Sequence, residues 1–559
     1  MSETASRSET SRAGRGKLRI VLPFAVFALL VAALGVSVRL SGRVPSIDSV
    51  SPHVATPGEI MTIRGRAFGD RKDGNVIIAG VIPTSSAYLE WSDTKISVRV
   101  PEDTGSGLVY VETAHGRSNG VLFSNRGMIP QIVSGPVRAG HPYIEAVDPA
   151  QGSPGTLVSI RGMNFGTNRN ESLVSFAWIS SENDELAIQA DVLQTIPCST
   201  EDFDYEYWSD GEIRVRVPSG SVSGNIFVKT DRGTSNGAFF EVSDEVGTRV
   251  FHEKLTYSVQ NSVDILDVVS EPGNDLYLWV PRVQESVAQR AAQVVERSPK
   301  PMLENFQGST LYRIPELATG LEYRIVQSFM FDRYTEENRI KTSKVVPYDT
   351  KKTLYRVFTA PDQLVVSDNP EIVSRAKTLV GREKNPYLIA KAIYDWVRRT
   401  LEYDPAATGR DPAAAMTTKR GSDYDYAMLY CALLRAAGIP SRPISGYLVK
   451  ETMEAVHHYW TELYLENYGW IPVDPLLGDE PPMMGVLLRT DAAAFYFGGV
   501  DNRHIELIRG VRDVTPIDPR AARVRKEQPF SFQTFHEEAA GRLTAYRSVW
   551  SDLSIIGVY

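Results

Sequence analysis

The side chains that could do chemistry together are concentrated between positions 419 and 475. Asp423, His458 and Asp474 lie there, and His457 directly precedes His458. Carboxylate oxygens and imidazole nitrogens are ligands that divalent metals accept, so one interpretation is a metal-dependent hydrolase. The chain has neither an HExxH nor a CxxC spacing, and we therefore expect no metal and no other cofactor.

The only two cysteines, Cys198 and Cys431, are too few for a disulfide framework or a zinc site. Cys431 has Ala427 and Leu434 as neighbours at helical spacing, which is an apolar stripe. Both thiols are therefore predicted to be buried small hydrophobic groups.

The elements that position these side chains form a predicted α+β core. An apolar face at helical spacing predicts one helix from Pro386 to Tyr403, and a second helix runs from Asp423 to Ala437, where Gly438 stops it. Strands are predicted at 444–449, 459–465 and 470–473. Two helices followed by strands are typical of α+β architecture.

Four segments of this region resemble the transglutaminase-like, papain-type family of bacterial proteins. They are AIYDWVRRTLEYD (392–404), KRGSDYDYAMLYCALLRAAGIPSRPISGY (419–447), HYWTELYLENYGWIPVDP (458–475) and YFGGVDNRHIELIRG (496–510). The resemblance extends over roughly residues 250–515. The order and spacing of the four segments make the resemblance specific.

The resemblance implies a Cys-His-Asp triad in which a helix N-terminus and an imidazole hold the cysteine as thiolate. His458 and Asp474 match the histidine and the aspartate of that triad. The family's Gly-x-Cys-x-x-aromatic-Ala pattern falls on residues 421–427, with Arg435 at the expected distance of 12 residues. The position of the nucleophilic cysteine is therefore occupied by Asp423.

An aspartate at this position is expected to abolish acyl transfer. A helix N-terminus stabilises the carboxylate, which accepts backbone N–H groups and becomes a poorer nucleophile. Asp423 would also pair with His458 and fix it as imidazolium, which removes the general base. A carboxylate that attacks an amide would form a mixed anhydride, which is far less accessible than a thioester.

Three interpretations of this domain stay open. It is a non-catalytic binding domain that uses the old cleft, or an enzyme of altered chemistry, or a structural envelope protein in which no cleft matters. The second would be an active amidase or peptidase, or a metal-dependent hydrolase using Asp423, His458 and Asp474. An open cleft lined with aromatic residues favours the first, and a cleft closed by Tyr424 or Tyr459 favours the third.

The first half of the chain contains a duplicated module. IDSVSP at Ile47 returns as IEAVDP at Ile144, and TIRGxxFG returns as SIRGxxFG, both 97 residues later. Later landmarks such as WSD, at Trp91 and Trp208, are offset by 117 residues, so the second copy has about 20 extra residues. Alternating strands and this motif set resemble the IPT/TIG immunoglobulin-like family over 45–125 and 142–243. Such modules serve as spacers or bind a protein or glycan surface.

The remaining segments complete the predicted organisation. Residues 249–352 are predicted to form a third β-sandwich before a core at 370–515. The tail at 516–559 is expected to pack on that core, with a helix around 535–550.

The N-terminus predicts membrane attachment. A basic cytoplasmic tail (1–19) precedes 19 uncharged, mostly apolar residues (20–38), which are long enough for one transmembrane helix. A cleaved signal peptide is the alternative. Everything after Arg39 would then be periplasmic or extracellular. The net charge of −8 gives no reason to expect nucleic-acid binding. The expected partner is an envelope protein, peptidoglycan or a surface polymer.

Overall fold

The computed structural model describes residues 44–105, 107–125, 140–180, 194–306, 308–407, 411–479, 481, 485–486, 489–511, 517–518, 521–524 and 537–559. The predicted transmembrane segment at 20–38 lies outside these residues. Within the described ranges, no helix has the length and apolar character needed to cross a membrane. The chain divides into two compact units, Met1–Pro130 and Gln131–Tyr559.

The described part of the first unit is an immunoglobulin-like arrangement of two sheets. Its strands are β1 (Ser46–Ser51), β2 (Val54–Ala55), β3 (Ile60–Arg66), β4 (Gly74–Ile78), β5 (Tyr88–Trp91), β6 (Lys95–Arg99), β7 (Gly107–Thr113), β8 (Gly116–Arg117) and β9 (Val121–Asn125). One sheet has the order β1-β3-β6-β5, and the other has β2-β9-β7-β4 with β8 beside β7. Alternating apolar residues from both sheets form the core between them.

The second unit begins with a copy of the same topology. Its strands are β10 (Tyr143–Asp148), β11 (Gln151–Gly152), β12 (Leu157–Met163), β13 (Leu173–Ala177), β14 (Thr195–Pro197), β15 (Tyr205–Trp208), β16 (Glu212–Arg216), β17 (Gly224–Thr230), β18 (Gly233–Thr234) and β19 (Ala238–Val242). The sheet orders are β10-β12-β16-β15 and β11-β19-β17-β13-β14. Strand β14 has no counterpart among the described residues of the first copy, and it lies within the extra residues.

The repeated Ser-Asn-Gly motif has the same structural role in both copies. The Asn119 side chain accepts the Ile47 N–H at 2.9 Å and donates to the Ile47 carbonyl at 3.0 Å. Asn236 makes the same two bonds with Ile144, at 2.7 and 2.9 Å. Each asparagine therefore ties the first strand of its module to a turn more than 70 residues away in the sequence.

The predicted third sandwich is a single nine-stranded sheet that also includes strands from later in the chain. Its strands before the core are β20 (Gly247–Pro281), β21 (Gln289–Ser298), β22 (Leu303–Phe306), β23 (Ser309–Pro315) and β24 (Tyr323–Ile340), in the order β21-β24-β20-β23-β22. The 35-residue strand β20 pairs with four of the other eight strands, β23, β24 and two from the C-terminal tail, so one long strand connects much of the sheet.

The helices of the core follow. They are α1 (Thr353–Thr359), α2 (Pro370–Val380), α3 (Pro386–Thr400), α4 (Pro412–Thr418), α5 (Asp423–Ala436) and the short α6 (Ala492–Phe495). The helix predicted from Pro386 ends three residues before Tyr403. Helix α5 is buried from Asp425 to Arg435. It packs against the sheet as the central helix of the core.

The strands of the core form a four-stranded antiparallel sheet. Short strands β25 (Glu402–Tyr403) and β26 (Arg420–Gly421) precede β27 (Ser441–Val449), β28 (Ala455–Leu465), β29 (Gly469–Val473), β30 (Gly499–Val500) and β31 (His504–Arg509). The sheet order is β29-β28-β27-β31, and β30 joins the nine-stranded sheet instead. The three strands predicted in this region are all present.

The prediction of a helix around 535–550 is wrong. The tail forms strands β32 (Ala522–Val524), β33 (Glu537–Trp550) and β34 (Ser554–Val558), and β33 and β34 pair with β20. Ala539, Leu543, Tyr546 and Trp550 pack on the core of that sheet at spacings of three and four, which mimic a helix. The pairing of β20 with β33 is shifted at three bulges, and each bulge changes which side chains of β33 point to the core. A bulged strand can therefore place these four residues on one side of the sheet.

The second immunoglobulin-like module is packed against the rest of its unit. Arg442 of β27 is buried, contacts Asp202 of the module and bonds Glu462 at 2.8 Å. Trp178 of the module packs against Phe251 at 5.1 Å between ring centroids. Buried contacts therefore fix the module to the rest of its unit.

Candidate functional site

The N-terminus of α5 places Asp423 at the edge of the buried site. The preceding Ser422 donates its backbone N–H to Asp425 at 2.9 Å, so Asp425 provides the reciprocal bond of the capping box. Asp423 is the first residue of the helix and accepts the Tyr424 N–H through Oδ1 at 2.9 Å. Its side chain is 19% exposed, and Oδ2 is directed towards His458.

His458 lies on β28 between two carboxylates. Its Nε2 is 2.7 Å from Asp474 Oδ2, and its Nδ1 is 3.4 Å from Asp423 Oδ2, an ion pair without hydrogen-bond alignment. Burial disfavours the imidazolium, but the charges of Asp474 and Asp423 outweigh it and raise the pKa of His458 to about 10. His458 is therefore charged at neutral pH.

Asp474 follows β29 and is the central acceptor of the site. Its Oδ1 accepts the Leu477 N–H at 2.9 Å, and its Oδ2 accepts from His458 and, at 3.1 Å, from His504 Nε2. Burial alone would raise the pKa of this carboxyl group, but the two imidazoles hold it well below its usual range. Asp474 is therefore a fixed, fully buried carboxylate.

Sequence reasoning missed His504 and Asp501, which extend the network. His504 Nδ1 is 2.8 Å from Asp501 Oδ1, and Tyr496 donates its hydroxyl to Asp501 Oδ2 at 2.8 Å. Burial disfavours the charged form of both groups. The carboxylate of Asp501 nevertheless raises the pKa of His504, and the imidazolium of His504 lowers the pKa of Asp501 to about 2. The sequence signal that could have identified these two residues is the motif YFGGVDNRH (496–504), which contains a tyrosine, an aspartate and a histidine.

Aromatic rings pack on both parts of the site. Trp460 lies against His458, with ring centroids 6.0 Å apart, and edge-on to His504 at 5.2 Å. Tyr424, the neighbour of Asp423, meets Tyr459 edge to face at 5.3 Å, and both are partly buried. Both imidazoles are therefore packed against an aromatic ring, while Tyr424, next to Asp423 in the chain, is in contact with Tyr459.

The other candidate groups do not join this site. Cys431 is buried in the core with its Sγ 3.3 Å from Ser441 Oγ, and burial raises the pKa of its thiol. Cys198 is buried in the second module, and burial raises its pKa as well. His457 points elsewhere, with Nε2 2.7 Å from Asp552 Oδ1.

A metal would need a different set of ligands from the one predicted. Asp423 and Asp474 contact opposite nitrogens of the His458 ring, so one ion cannot reach all three. Among the described residues, ligand atoms of His458, Asp474 and His504 lie within 4.8 Å of one another. Both imidazoles approach the same Asp474 oxygen through Nε2 and favour their protonated forms, so a metal would have to displace those protons.

Asp423 lies at a helix N-terminus, His458 on a strand and Asp474 directly after the next strand, in the order that the sequence predicted. Residues 373–475 match the family model of the transglutaminase-like superfamily, and residues 45–125 and 142–242 each match that of the IPT/TIG domain. The chain thus contains a transglutaminase-like domain preceded by two IPT/TIG domains, as the sequence predicted.

Relatives share only parts of this chain. A protein-glutamine gamma-glutamyltransferase of Pseudomonas aeruginosa is 32% identical over 127 residues, 20% of this chain and 19% of that protein. An uncharacterized protein of Mycobacterium leprae is 32% identical over 105 residues, 17% of this chain and 37% of that protein. A cyclomaltodextrin glucanotransferase of Bacillus licheniformis is 37% identical over 76 residues, 14% of this chain and 10% of that protein.

Several solved structures are similar to part of this chain, among them the following two. One is a candidate cysteine protease from Cytophaga hutchinsonii, at 15% identity, 56% of this chain, 92% of that chain and a TM-score of 0.38. The other is the periplasmic domain of TgpA from Pseudomonas aeruginosa, at 17% identity, 42% of this chain, 88% of that chain and a TM-score of 0.23.

Proposed function

We propose that this chain is a membrane-anchored protein of the cell envelope whose transglutaminase-like domain is catalytically inactive and serves as a binding module. The observation that carries the proposal is the carboxylate of Asp423 at the nucleophile position, paired with the imidazole that should act as base.

The first reason is the missing nucleophile. A thiolate at this helix N-terminus would attack an amide carbonyl and give a thioester. The carboxylate of Asp423 already accepts a backbone N–H and faces a charged imidazole, and both interactions withdraw electron density from its oxygens. Cys431 cannot substitute, because it lies two helical turns further along α5 and is buried in the core.

The second reason is the state of the histidine. With no thiol present, a water molecule would need a base that is unprotonated near the working pH, and a pKa close to 7 is the useful range for that base. The pKa of His458 is raised to about 10 by carboxylates on both sides of its ring. The imidazolium can therefore neither accept a proton nor leave its two partners without loss of stability.

The surface around Asp423 suits recognition. Tyr424, next to Asp423 in the chain, packs edge to face on Tyr459, both rings stay partly exposed, and solvent reaches 19% of the Asp423 side chain. Aromatic rings beside a polar group are common in binding sites, because they combine apolar contact with directional hydrogen bonds. The proposed ligand is an envelope protein, peptidoglycan or another surface polymer.

The catalytic part of the proposal is tested by restoring the thiol. The full chain, purified in detergent, is assayed for amine incorporation and peptide hydrolysis as wild type, Asp423→Cys and Asp423→Ala. We expect activity only in Asp423→Cys, and its loss when His458→Gln is added. The Asp423→Ala control shows whether removal of the carboxylate alone has any effect. Wild-type activity that is lost in Asp423→Ala would instead indicate an enzyme of altered chemistry.

The placement of the chain is tested separately. The uncharged run at 20–38 after a basic tail supports a single membrane anchor with the folded domains outside. We expect the full chain to sediment with membranes and its folded part to be accessible to added protease from the outer side. Release of the chain to the soluble fraction without deletion of 20–38 would contradict the anchor.

A further inference from the structure

One end of the nine-stranded sheet contains a row of buried polar side chains. Arg297 on β21 pairs in register with Gln327 on β24, which pairs with Asn261 on β20. Directly opposed residues of antiparallel strands face the same side, so these three side chains form one row. Asn261 and Gln327 both donate to the Pro281 carbonyl, at 3.4 and 2.6 Å. The row therefore lies against the far end of β20.

Arg297 is buried with most of its hydrogen-bonding capacity unused. Its side chain is 8% exposed, and its Nε and Nη2 find no hydrogen-bond partner among the described residues. Nη1 is 3.5 Å from Glu304, whose side chain is 80% exposed. A carboxylate that solvent screens so strongly is a weak counter-charge for a buried guanidinium.

Arg282 reaches the same place from the end of β20. It donates through Nη1 to the Glu304 carbonyl at 3.0 Å, and its buried Nε also lacks a partner within the described ranges. Burial and then the charge of Arg297 lower the pKa of Arg282, and Glu304 and Glu285 offset this only in part. Two like charges therefore lie near each other, with Glu304 and Glu285 as the carboxylates close to Arg282 and the Phe329 ring beneath the guanidinium of Arg297 at 5.9 Å.

Hydroxyl groups lie beside this pair. Tyr312 is fully buried and contacts Gln327 through its hydroxyl at 3.4 Å. Burial raises the pKa of Tyr312 to about 12, and the nearby charge of Arg297 opposes that rise. Thr310 is on the same face two residues earlier, with its buried Oγ1 unpartnered in the described structure. Thr310 therefore adds a buried hydroxyl group to the face that carries Tyr312.

We propose that Arg282 and Arg297 bind an oxyanion, either a phosphate or a carboxylate group, that enters past Glu304. Such a group would accept the guanidinium N–H groups that now lack partners and would neutralise the two like charges. The planar guanidinium fork fits the oxygen pairs of both groups. The site is separate from Asp423 and does not depend on the fate of the triad.

The test measures anion binding to the full chain in detergent. Inorganic phosphate and acetate are titrated separately by calorimetry, with sodium chloride at equal ionic strength as reference. We expect one of the two anions to bind wild type and raise its Tm above the chloride value. The anion that does so identifies the group as phosphate or carboxylate.

Variants assign the binding to Arg297. Arg297→Met should raise the Kd at least about 10-fold, because charged hydrogen bonds are lost. Arg297→Lys keeps the charge without the fork and should also weaken binding, which covers the case in which Arg297→Met does not fold. Arg324→Met on the exposed face of β24 is the matched control and should bind as wild type does. The proposal is overturned if neither anion exceeds chloride, or if both Arg297 variants bind like wild type.

Discussion

The charge state of His458 provides the sharpest quantitative prediction. Replacing Asp423 with asparagine removes one of the two carboxylates beside the ring and changes the size of the side chain little. The imidazole then keeps only Asp474 on Nε2, at 2.7 Å. We expect the pKa of His458 to fall below its wild-type value of about 10 but to stay above the unperturbed value of 6.5.

The size of this fall follows from the geometry. Two unit charges 3.4 Å apart attract by about 5 kcal/mol at an effective dielectric constant of roughly 20. Solvent reaches 19% of the Asp423 side chain and reduces this figure. An opposite charge at this range commonly moves a pKa by about one to three, which places His458 between about 7 and 9 in the variant.

The assay is a pH titration of the histidine ring signals by NMR on selectively labelled protein, with His458→Gln used to assign the resonance. Asp395→Asn on α3 is the matched control, because that carboxylate pairs with Lys391 and not with the site. The reasoning is refuted if wild-type His458 titrates near 6.5, or if Asp423→Asn leaves its pKa unchanged.

Three further predictions concern stability and thiol reactivity. The raised pKa of His458 stabilises the fold fully below pH 6.5, and this contribution is lost as pH rises through about 10. The lowered pKa of Asp474 stabilises the fold above pH 3.8, and this contribution is lost in acid. Denaturant unfolding at a series of pH values should therefore show the greatest stability between about pH 4 and 6.5, and a flat profile up to pH 10 would contradict the ion pairs. Arg442→Met leaves two carboxylates without their buried cation and should lower the unfolding free energy in urea by about 3–5 kcal/mol, and a loss below about 1 kcal/mol would mean that the interface is weak. Cys198 and Cys431 should not react with a thiol reagent until the protein is unfolded, and fast native labelling of Cys431 would reopen its candidacy as nucleophile.

Local patterns predicted much of the fold. The repeated motifs of the IPT/TIG modules and the helical stripe of α5 each depend on neighbours close in sequence. For the same reason Asp423, His458 and Asp474 could be identified, because each lies in a motif with fixed spacing. The structure brings these three together in a row, with His458 in the middle.

Contacts between residues far apart in the chain could not be predicted from local sequence patterns. Strand β33 has apolar residues at helical spacing, and only its bulged pairing with β20, more than 250 residues earlier, explains their common face. His504 and Asp501 were missed because their role depends on Asp474, which is 30 residues from His504 and meets it only in the folded core. Arg442 shows the same limit, since its partner Asp202 is in another module.

The most direct test of the central claim is the reaction of the wild-type chain itself with an amide substrate. Ammonia release from a glutamine-containing peptide is followed together with the intact mass of the protein, beside Asp423→Asn. The site geometry predicts no ammonia above the buffer rate and no mass increase in either protein. A covalent adduct or turnover in wild type that is absent from Asp423→Asn would show that Asp423 acts as a nucleophile and would contradict the account.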